Sequence, residues 1–187
     1  MSNLDHEIRI IGGKYKGKLL KVLDAQGLRP TTNKVRETVF TWLSNIEGTS
    51  VLDLFAGTGA LGFEAASRGA KEVTLVELDK DSANLIKQTA SSFTNSNIKV
   101  FNQDALSFLS SCNSHFDIVF IDPPYKLGIY EQVISQLNQR KLIDENSIIY
   151  VEMRNGSSKV VPGFEIYKEQ TAGIAKYALW RKSKLLF

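Results

Sequence analysis

The stretch VLDLFAGTGALG, residues 51–62, decides the fold of this 187-residue chain. An apolar run of β type, Val51 to Phe55, leads into Gly57, Gly59 and Gly62, which have the spacing G-x-G-x-x-G between a strand and a helix. Glycine is needed where a chain turns sharply or where backbone approaches a ligand, because it has no Cβ. The stretch therefore predicts a strand, a nucleotide-binding turn and a helix, with a ligand-free βα turn as the alternative.

Short apolar runs alternate with helical stretches after residue 51. This pattern is typical of βαβ units and a parallel sheet, so the predicted fold class is α/β, with a helix after each of the first four strands. A final antiparallel hairpin closes the sheet, because its two β-like runs have no helical pattern between them. The expected strands are Val51–Phe55, Glu72–Glu77, Ile98–Asn102, Phe116–Ile121 and Ser147–Met153, followed by the hairpin strands Phe164–Lys168 and Ala175–Lys182.

The segment before residue 51 predicts a hairpin and a helix. Apolar runs at Ile8–Ile11 and Leu19–Leu23 flank a glycine- and lysine-rich turn. Apolar residues recur at helical spacing from Val35 to Ile46. The candidate N-caps of this helix are Thr31, Thr32 and Asn33. We expect one domain over residues 1–187, with residues 1–30 as a basic N-terminal hairpin extension.

Composition favours an ordinary globular protein. Hydrophobic residues make up 43% and charged residues 23% of the chain. No apolar run has the roughly 20 residues needed to span a bilayer, so we expect a cytoplasmic protein without a membrane partner. The lone Cys112 has no Cys or His neighbour at zinc spacing, which predicts a structural cysteine and no metal site. A monomer is the default expectation.

Two carboxylates near the glycines discriminate between ligands. Asp53 lies four residues before Gly57, and Glu77 ends the next strand 20 residues after it. A carboxylate at the position of Glu77 can accept both ribose hydroxyls of an adenosine, which suits NAD and S-adenosylmethionine alike. The Asp53 carboxylate would repel a pyrophosphate at the helix N-terminus, whereas it favours the ammonium and sulfonium of S-adenosylmethionine. We therefore rank S-adenosylmethionine above NAD as the cofactor.

Asp104 supplies a further carboxylate after the third strand. It is placed to accept a hydrogen bond from an adenine amine, while the backbone N–H of Ala105 contacts the ring. The alternative is that Asp104 caps the helix Ala105–Ser110. The two interpretations are compatible.

The tetrapeptide Asp122-Pro123-Pro124-Tyr125 follows the strand Phe116–Ile121, at the end of the sheet where open α/β folds bind ligands. The prolines remove two N–H donors and force an extended path, which leaves the Asp122 carboxylate and the Pro123 carbonyl oxygen as acceptors for an amine. Tyr125 can stack on a flat base. We interpret these residues as the catalytic centre for methylation of an exocyclic base amine. A proline turn that merely ends a strand is the alternative.

Taken together, these motifs resemble the bacterial small-subunit ribosomal RNA guanine-N2 methyltransferases that act on guanine 966. The resemblance spans nearly the whole chain and rests on residues 8–13 (IRIIGG), 28–32 (LRPTT) with 35–38 (VRET), 53–62 and 122–125. The first two blocks are the specific ones, because many amine methyltransferases share the others. The resemblance implies a seven-stranded, mostly parallel, Rossmann-like class I methyltransferase sheet with a terminal antiparallel strand. It also implies S-adenosylmethionine as the donor and a guanine N2 amine of 16S rRNA, in assembled or assembling small subunits, as the acceptor.

The resemblance further implies which residues contact the donor and which the acceptor. Asp122, Pro123, Pro124 and Tyr125 would form the acceptor site. Thr31 and Arg36 would border the donor pocket, with a helix cap and a surface ion pair as their alternatives. The expected donor-binding residues are Asp53, Ala56, Gly57, Gly59, Glu77, Leu78, Asp104 and Ala105.

Basic residues are concentrated near the N-terminus. Six lie between residues 9 and 29 against one acid, within a chain whose net charge is +3. Such cations can neutralise RNA phosphates, which position RNA without reading its sequence, and a solvated face is the alternative. The predicted RNA-binding residues are Arg9, Lys14, Lys16, Lys18 and Arg29.

Other functions stay open from the residues alone. An adenine-N6 methyltransferase acting on DNA or RNA is one alternative, because Asp-Pro-Pro-Tyr suits that amine equally well. A protein glutamine methyltransferase is disfavoured, since that class more often has Asn at the first position. A catalytically silent RNA-binding assembly factor is disfavoured by the presence of Asp122, Glu77 and the glycine turn.

Overall fold

The computed structural model describes residues 8–23, 32–94, 96–124, 128–157 and 159–184. Nine strands and five helices lie in these ranges. The strands are β1 Ile8–Arg9, β2 Leu19–Leu20, β3 Ser50–Asp53, β4 Glu72–Glu77, β5 Ile98–Asn102, β6 Ile118–Ile121, β7 Ile148–Arg154, β8 Phe164–Ala172 and β9 Ala175–Lys182. The helices are α1 Asn33–Leu43, α2 Ala60–Ser67, α3 Lys80–Ala90, α4 Ala105–Ser111 and α5 Tyr130–Gln139.

Seven strands form one sheet in the order β5-β4-β3-β6-β7-β9-β8. The pairs among β3 to β7 are parallel, and β9 is antiparallel to both of its neighbours. This confirms the predicted mostly parallel sheet with a terminal antiparallel strand. Parallel strands are covered on both faces, which explains why β6 is an uninterrupted apolar run that is buried throughout.

The predicted bounds of β4, β5 and β9 agree with the structure residue for residue. β6 begins two residues later than expected, because the backbone N–H of Phe116 donates to the carbonyl oxygen of Leu142 instead of to a neighbouring strand. β8 runs on to Ala172, since it pairs with β9 up to the turn at Gly173.

Helices cover both faces of the sheet and form two apolar cores. On one side lie Val39 of α1, Phe63 of α2 and Ile86 of α3. On the other side lie Leu109 of α4 and Leu137 of α5. Because the strands β3 to β7 are parallel, their carboxyl ends all lie along one end of the sheet. We call this end the carboxyl end.

The N-terminal hairpin and helix are also present. β1 and β2 pair antiparallel with Ile8 opposite Leu20, over two residues each. Of the three candidate caps of α1, Thr32 accepts a hydrogen bond from the backbone N–H of Val35 at 3.3 Å, so it is the N-cap. Thr31 lies outside the described residues.

Candidate active site at the carboxyl end of the sheet

The turn between β3 and α2 depends on two glycines with positive φ. Gly57 has φ 58°, and Gly59, the N-cap of α2, has φ 81°. Residues with a Cβ adopt these angles at a cost. A Cβ on Gly59 would also lie 2.5 Å from Cε2 of Phe63. The first two glycines of the motif are therefore required by the turn itself.

Gly62 has a different function in the same motif. A Cβ there would lie 2.1 Å from Cδ2 of Leu75 in β4. Because Gly62 has no side chain, α2 can pack directly on the sheet. The third glycine of such motifs permits the same close packing of helix and strand. This close packing aims the N-terminus of α2 at the carboxyl end.

Asp53 is a buried acid beneath this turn. Its side chain is 1% exposed, and its Oδ2 accepts a hydrogen bond from the backbone N–H of Gly62 at 3.1 Å. Burial raises the pKa of Asp53 to about 7, the Gly62 N–H opposes the rise, and the charge of Glu77 adds to it. A cationic group beside Asp53 would favour its ionised form.

Glu77 ties the ends of β3 and β4 together. Its Oε2 accepts from the backbone N–H of Gly57 at 2.6 Å, and its Oε1 accepts from that of Asp79 at 3.0 Å. A carboxylate has about four lone-pair sites, so both oxygens keep capacity for further donors such as ribose hydroxyls. Glu77 thus has a structural function in addition to the predicted ligand contact.

Leu78 follows Glu77 and is 68% exposed, an unusual state for a leucine. The side-chain amide of Asn102, at the end of β5, donates to the carbonyl oxygens of Glu77 and Leu78 at 2.9 Å each. Asn102 therefore fixes this turn, although sequence reasoning missed it. In the sequence, Asn102 could be recognised only as a polar residue at the carboxyl end of a predicted strand.

Asp104 is the N-cap of α4. Its Oδ2 accepts from the backbone N–H of Ser107 at 3.0 Å, as the capping interpretation expected. The Asp104 side chain is exposed, whereas Ala105 is buried at the start of the helix. The capping contact uses one lone pair of the carboxylate and leaves others for a ligand.

The acceptor residues begin directly after β6. Asp122 is half-buried, Pro123 is buried and Pro124 is exposed. The backbone N–H of Leu54 donates to the carbonyl oxygen of Phe120 at 3.2 Å, so the glycine turn and the acceptor segment start from hydrogen-bonded neighbouring strands. The structure therefore brings the two predicted motifs together at one end of the sheet. Tyr125 lies outside the described residues.

The N-terminal hairpin docks at the opposite end of α2. The backbone N–H of Lys14 donates to the carbonyl oxygen of Ser67 at 2.7 Å, and that of Tyr15 donates to the Ser67 hydroxyl at 2.9 Å. A Cβ on Gly13 would lie 2.0 Å from the Ser67 carbonyl oxygen, so Gly13 permits this contact. The Tyr15 hydroxyl donates to the carbonyl oxygen of Thr94.

Glu64 of α2 joins the hairpin to α1. Its carboxylate accepts from the backbone N–H groups of Ile11 at 2.9 Å and Gly12 at 3.0 Å. It also pairs with Arg36 at 3.5 Å and with Arg68 at 2.9 Å. The side chains of Arg36 and Glu64 are both 0% exposed. The suggestion that Arg36 forms a surface ion pair was therefore wrong, because docking of the hairpin covers the pair.

Four of the five predicted RNA-binding cations lie on the docked hairpin. Lys14 and Lys16 are exposed, Lys18 is half-buried, and the ammonium groups of Lys14 and Lys18 lie 5.6 and 5.9 Å from the ring centre of Tyr15. α2 has eight residues and is about 12 Å long, so it separates these lysines from the glycine turn. They do not lie beside Asp122.

The other two predicted cations are Arg9 and Arg29. The Arg9 side chain is exposed and donates to the carbonyl oxygen of Gly17 at 3.3 Å. Arg29 lies outside the described residues.

After the hairpin, the chain returns towards the glycine turn, where Val22 and Leu23 line a shallow pocket with Gly57 and Thr58.

Within the part of the chain that the structure describes, none of the helices is both long and apolar enough to cross a membrane. No group of three or more His, Cys, Asp or Glu side chains in the same residues is arranged to hold a metal ion. Cys112 is buried at the C-cap of α4, within the core on that side of the sheet.

The strand order and the glycine turn from β3 to α2 define a class I methyltransferase fold. The solved structure of the Escherichia coli protein yhhF matches it with a TM-score of 0.86 and 37% identity, over 94% of this chain and 98% of that one.

The sequence of the chain is similar to a narrower group of proteins than its fold is. The family model described as conserved hypothetical protein 95 matches residues 8–181. The curated protein named ribosomal RNA small subunit methyltransferase D of Haemophilus influenzae is 42% identical over 96% of each chain. The protein of the same name from Escherichia coli K12 is 40% identical over 94% of this chain and 90% of the relative. The chain belongs to this family of ribosomal RNA small subunit methyltransferases D.

Proposed function

We propose that the protein transfers the methyl group of S-adenosylmethionine to the exocyclic N2 amine of a guanine, guanine 966, in 16S rRNA of the small ribosomal subunit. The observation that carries the proposal is that the glycine turn after β3 and the Asp122-Pro123-Pro124 segment after β6 leave neighbouring strands at one end of the sheet. A donor and an acceptor bound at these two motifs would be adjacent.

The residues around the glycine turn fit a cationic nucleoside donor. Asp53, Glu77 and Asp104 all present carboxylates at the ends of successive strands. The buried Asp53 beneath the N-terminus of α2 disfavours a pyrophosphate and favours an ammonium group. Glu77 would accept from the ribose hydroxyls, while Asp104 and Ala105 would contact the adenine beside the exposed Leu78. When bound, S-adenosylmethionine supplies a methyl group on a positively charged sulfur.

Asp122 and Pro123 would hold the acceptor amine. The nitrogen lone pair of a base amine is conjugated into the ring, so the amine is a poor nucleophile until its hydrogens are held out of the ring plane. The Asp122 carboxylate and the Pro123 carbonyl oxygen can each accept one amine N–H. As nitrogen takes the methyl group it gains positive charge, which the carboxylate stabilises.

Positioning contributes more than charge in this scheme. Hydrogen bonds to a charged acceptor contribute about 1.5 to 3 kcal/mol. Alignment of two reactants can contribute about 7 to 11 kcal/mol. We therefore assign Asp122 chiefly the function of orienting the amine, and Tyr125 that of stacking on the base.

The RNA substrate is supported by the relatives and by the N-terminal hairpin. Both curated relatives are named as small-subunit ribosomal RNA methyltransferases. The exposed Arg9, Lys14 and Lys16 would contact phosphates at a distance from the reacting base, which suits a large folded RNA.

The test is transfer of a labelled methyl group from S-adenosylmethionine to small subunits isolated from cells that lack the enzyme. Naked 16S rRNA and duplex DNA serve as parallel substrates, and the product is digested to nucleosides. We expect label in N2-methylguanosine from the subunit or its RNA. Label in N6-methyladenosine would instead support the adenine alternative, and no transfer to any substrate would refute the enzyme proposal.

A further inference from the structure

Glu152 of β7 is a buried acid next to the proposed acceptor site. It is 8% exposed, and the other residues of β7 up to Met153 are aliphatic, aromatic or methionine. The hydroxyl of Tyr150 donates to Glu152 Oε2 at 3.2 Å, and Tyr150 itself is 0% exposed. Glu152 also lies near the carboxyl end of β7, the end of the sheet at which the proposed acceptor segment begins. A carboxylate has about four lone-pair sites, so one that already accepts hydrogen bonds can accept another from a ligand N–H.

The register of the sheet brings Glu152 close to Asp122. Phe120 and Tyr150 are Cα partners on the parallel strands β6 and β7, and their rings lie 5.8 Å apart on one face of the sheet. Residues two apart on a strand share a face, so Glu152 follows Tyr150 on that face, as their hydrogen bond shows. Asp122 follows Phe120 in the same way, because the proline after it enforces an extended backbone. Neighbouring strands are about 4.8 Å apart.

Two adjacent carboxylates are matched by one base edge and not by the other. The Watson–Crick edge of guanine presents N1–H beside the N2 amine, so all of its hydrogens there are donors. Adenine presents the N6 amine beside an N1 lone pair, which a second carboxylate would repel. Protein sites read flipped or unpaired bases on these edges.

We propose that Glu152 accepts the N1–H of the target guanine while Asp122 accepts from its N2 amine, so that Glu152 selects guanine against bases without an N1–H. The inference rests on the proposed function, because it assigns a specificity residue to the same acceptor site. Tyr150 positions the carboxylate by donating to its other side. A site built around a donor rejects an analogue that lacks it, since the site's own polar group is then left unpaired.

The test uses small subunits reconstituted on 16S rRNA that carries either guanine or 2-aminopurine at the methylated position. 2-Aminopurine keeps the amine at C2 but has a lone pair in place of N1–H. We expect wild-type kcat/KM to be at least about tenfold higher for guanine. In Glu152→Gln, the side-chain amide can donate to the N1 lone pair. The kcat/KM for guanine should fall about 10- to 100-fold, and the ratio of guanine to 2-aminopurine should fall towards one or below.

The ratio separates a specificity function from a structural one. A merely destabilised site would lower the rates for guanine and for 2-aminopurine together and leave their ratio unchanged. The O6 that 2-aminopurine lacks affects the wild type and the Glu152→Gln variant alike, so it does not change the comparison of their ratios. A wild-type ratio near one, or an unchanged ratio in a folded Glu152→Gln variant with wild-type S-adenosylmethionine affinity, would overturn the inference. A wild-type ratio near one overturns the inference even if the variant does not fold. In either case, wild-type transfer to guanine would leave the proposed function standing, whereas its absence would remove that function first.

Discussion

The carboxylate of Asp53 and the backbone N–H of Gly62 form a hydrogen bond of 3.1 Å that is shielded from solvent beneath the first turn of α2. One N–H does not compensate for the burial of the acid, whose pKa rises to about 7. The site therefore contains an acid that titrates near neutral pH, and its ionisation affects both folding and the binding of a cation.

The first prediction concerns stability. The native protein holds the Asp53 proton to a higher pH than the unfolded chain does, so stability is lost as pH rises from 3.8 to about 7 and the loss is complete above that. Asp53→Asn removes the charge, and its carbonyl oxygen can keep the Gly62 bond. The variant should be more stable than wild type by up to ~4 kcal/mol at about pH 8 and by little at about pH 4, in urea unfolding. An equal difference at both pH values would contradict the buried charge.

The second prediction concerns donor affinity. A cationic ligand binds better when Asp53 is ionised, so the affinity for S-adenosylmethionine should rise roughly five- to tenfold between about pH 6 and about pH 8. Asp53→Asn should bind more weakly, with a flatter profile. Calorimetric titration across this range measures both. A wild-type profile identical to that of the variant would exclude Asp53 from the donor pocket.

The third prediction separates the acceptor from the donor site. Asp122→Ala should abolish methyl transfer, because the amine loses its charged acceptor, and should leave the Kd for S-adenosylmethionine within a few-fold of wild type. Transfer assays and equilibrium binding on the same preparation give the two values. A large loss of donor binding would mean that Asp122 belongs to the donor pocket instead.

The fourth prediction concerns the ion pair between Arg36 and Glu64. Burial lowers the pKa of Arg36, and the Glu64 charge opposes that effect. Glu64→Gln would leave the guanidinium without its counter-charge in the core, at a cost of about 3–5 kcal/mol in the free energy of unfolding.

A matched control for this variant is Glu72→Gln. Glu72 pairs with Lys99 at 3.0 Å, with exposed fractions of 27% and 52%. Its loss should cost about 0–1 kcal/mol, because solvent screens the pair. Similar losses for the two variants in chemical denaturation would show that burial of the first pair has no energetic consequence.

The fifth prediction tests the basic hairpin. Replacing Lys14, Lys16 and Lys18 by Gln should reduce the slope of log affinity for RNA against log salt by up to about two to three, since each phosphate contact releases counterions. Filter binding at several salt concentrations measures the slope. The control is the same change at three exposed lysines away from the hairpin: Lys141, Lys168 and Lys184. If both triple variants changed the slope equally, the hairpin would have no special function in RNA binding.

The sheet was predictable because its central strands are buried on both faces and are therefore rich in apolar residues, with β6 as an uninterrupted apolar run. The glycine turn was predictable because three glycines at fixed spacing meet three separate steric demands. Local sequence contains this information. It also contains the tetrapeptide at the end of β6, whose prolines allow few backbone paths.

The contacts around Glu64 were not predictable in the same way. Its partner Arg36 lies 28 residues earlier in the chain, and only docking of the hairpin excludes solvent from the pair. A lone acid within the otherwise apolar α2 was the available signal. Glu152 in β7 gave a similar signal, a single carboxylate within an apolar strand. In both elements a single acid among apolar residues indicates a buried polar contact whose full set of partners the local sequence does not identify.

The position of β9 has a consequence for synthesis. β9 follows β8 in the chain yet lies between β7 and β8 in the sheet, with Trp180 fully buried. A chain made from its N-terminus can pair β3, β4 and β5 early, whereas β7 gains its second neighbour only after β9 has left the ribosomal exit tunnel. The cofactor half of the sheet can therefore assemble during translation, and the half that carries Glu152 must wait until nearly all of the described chain has been made.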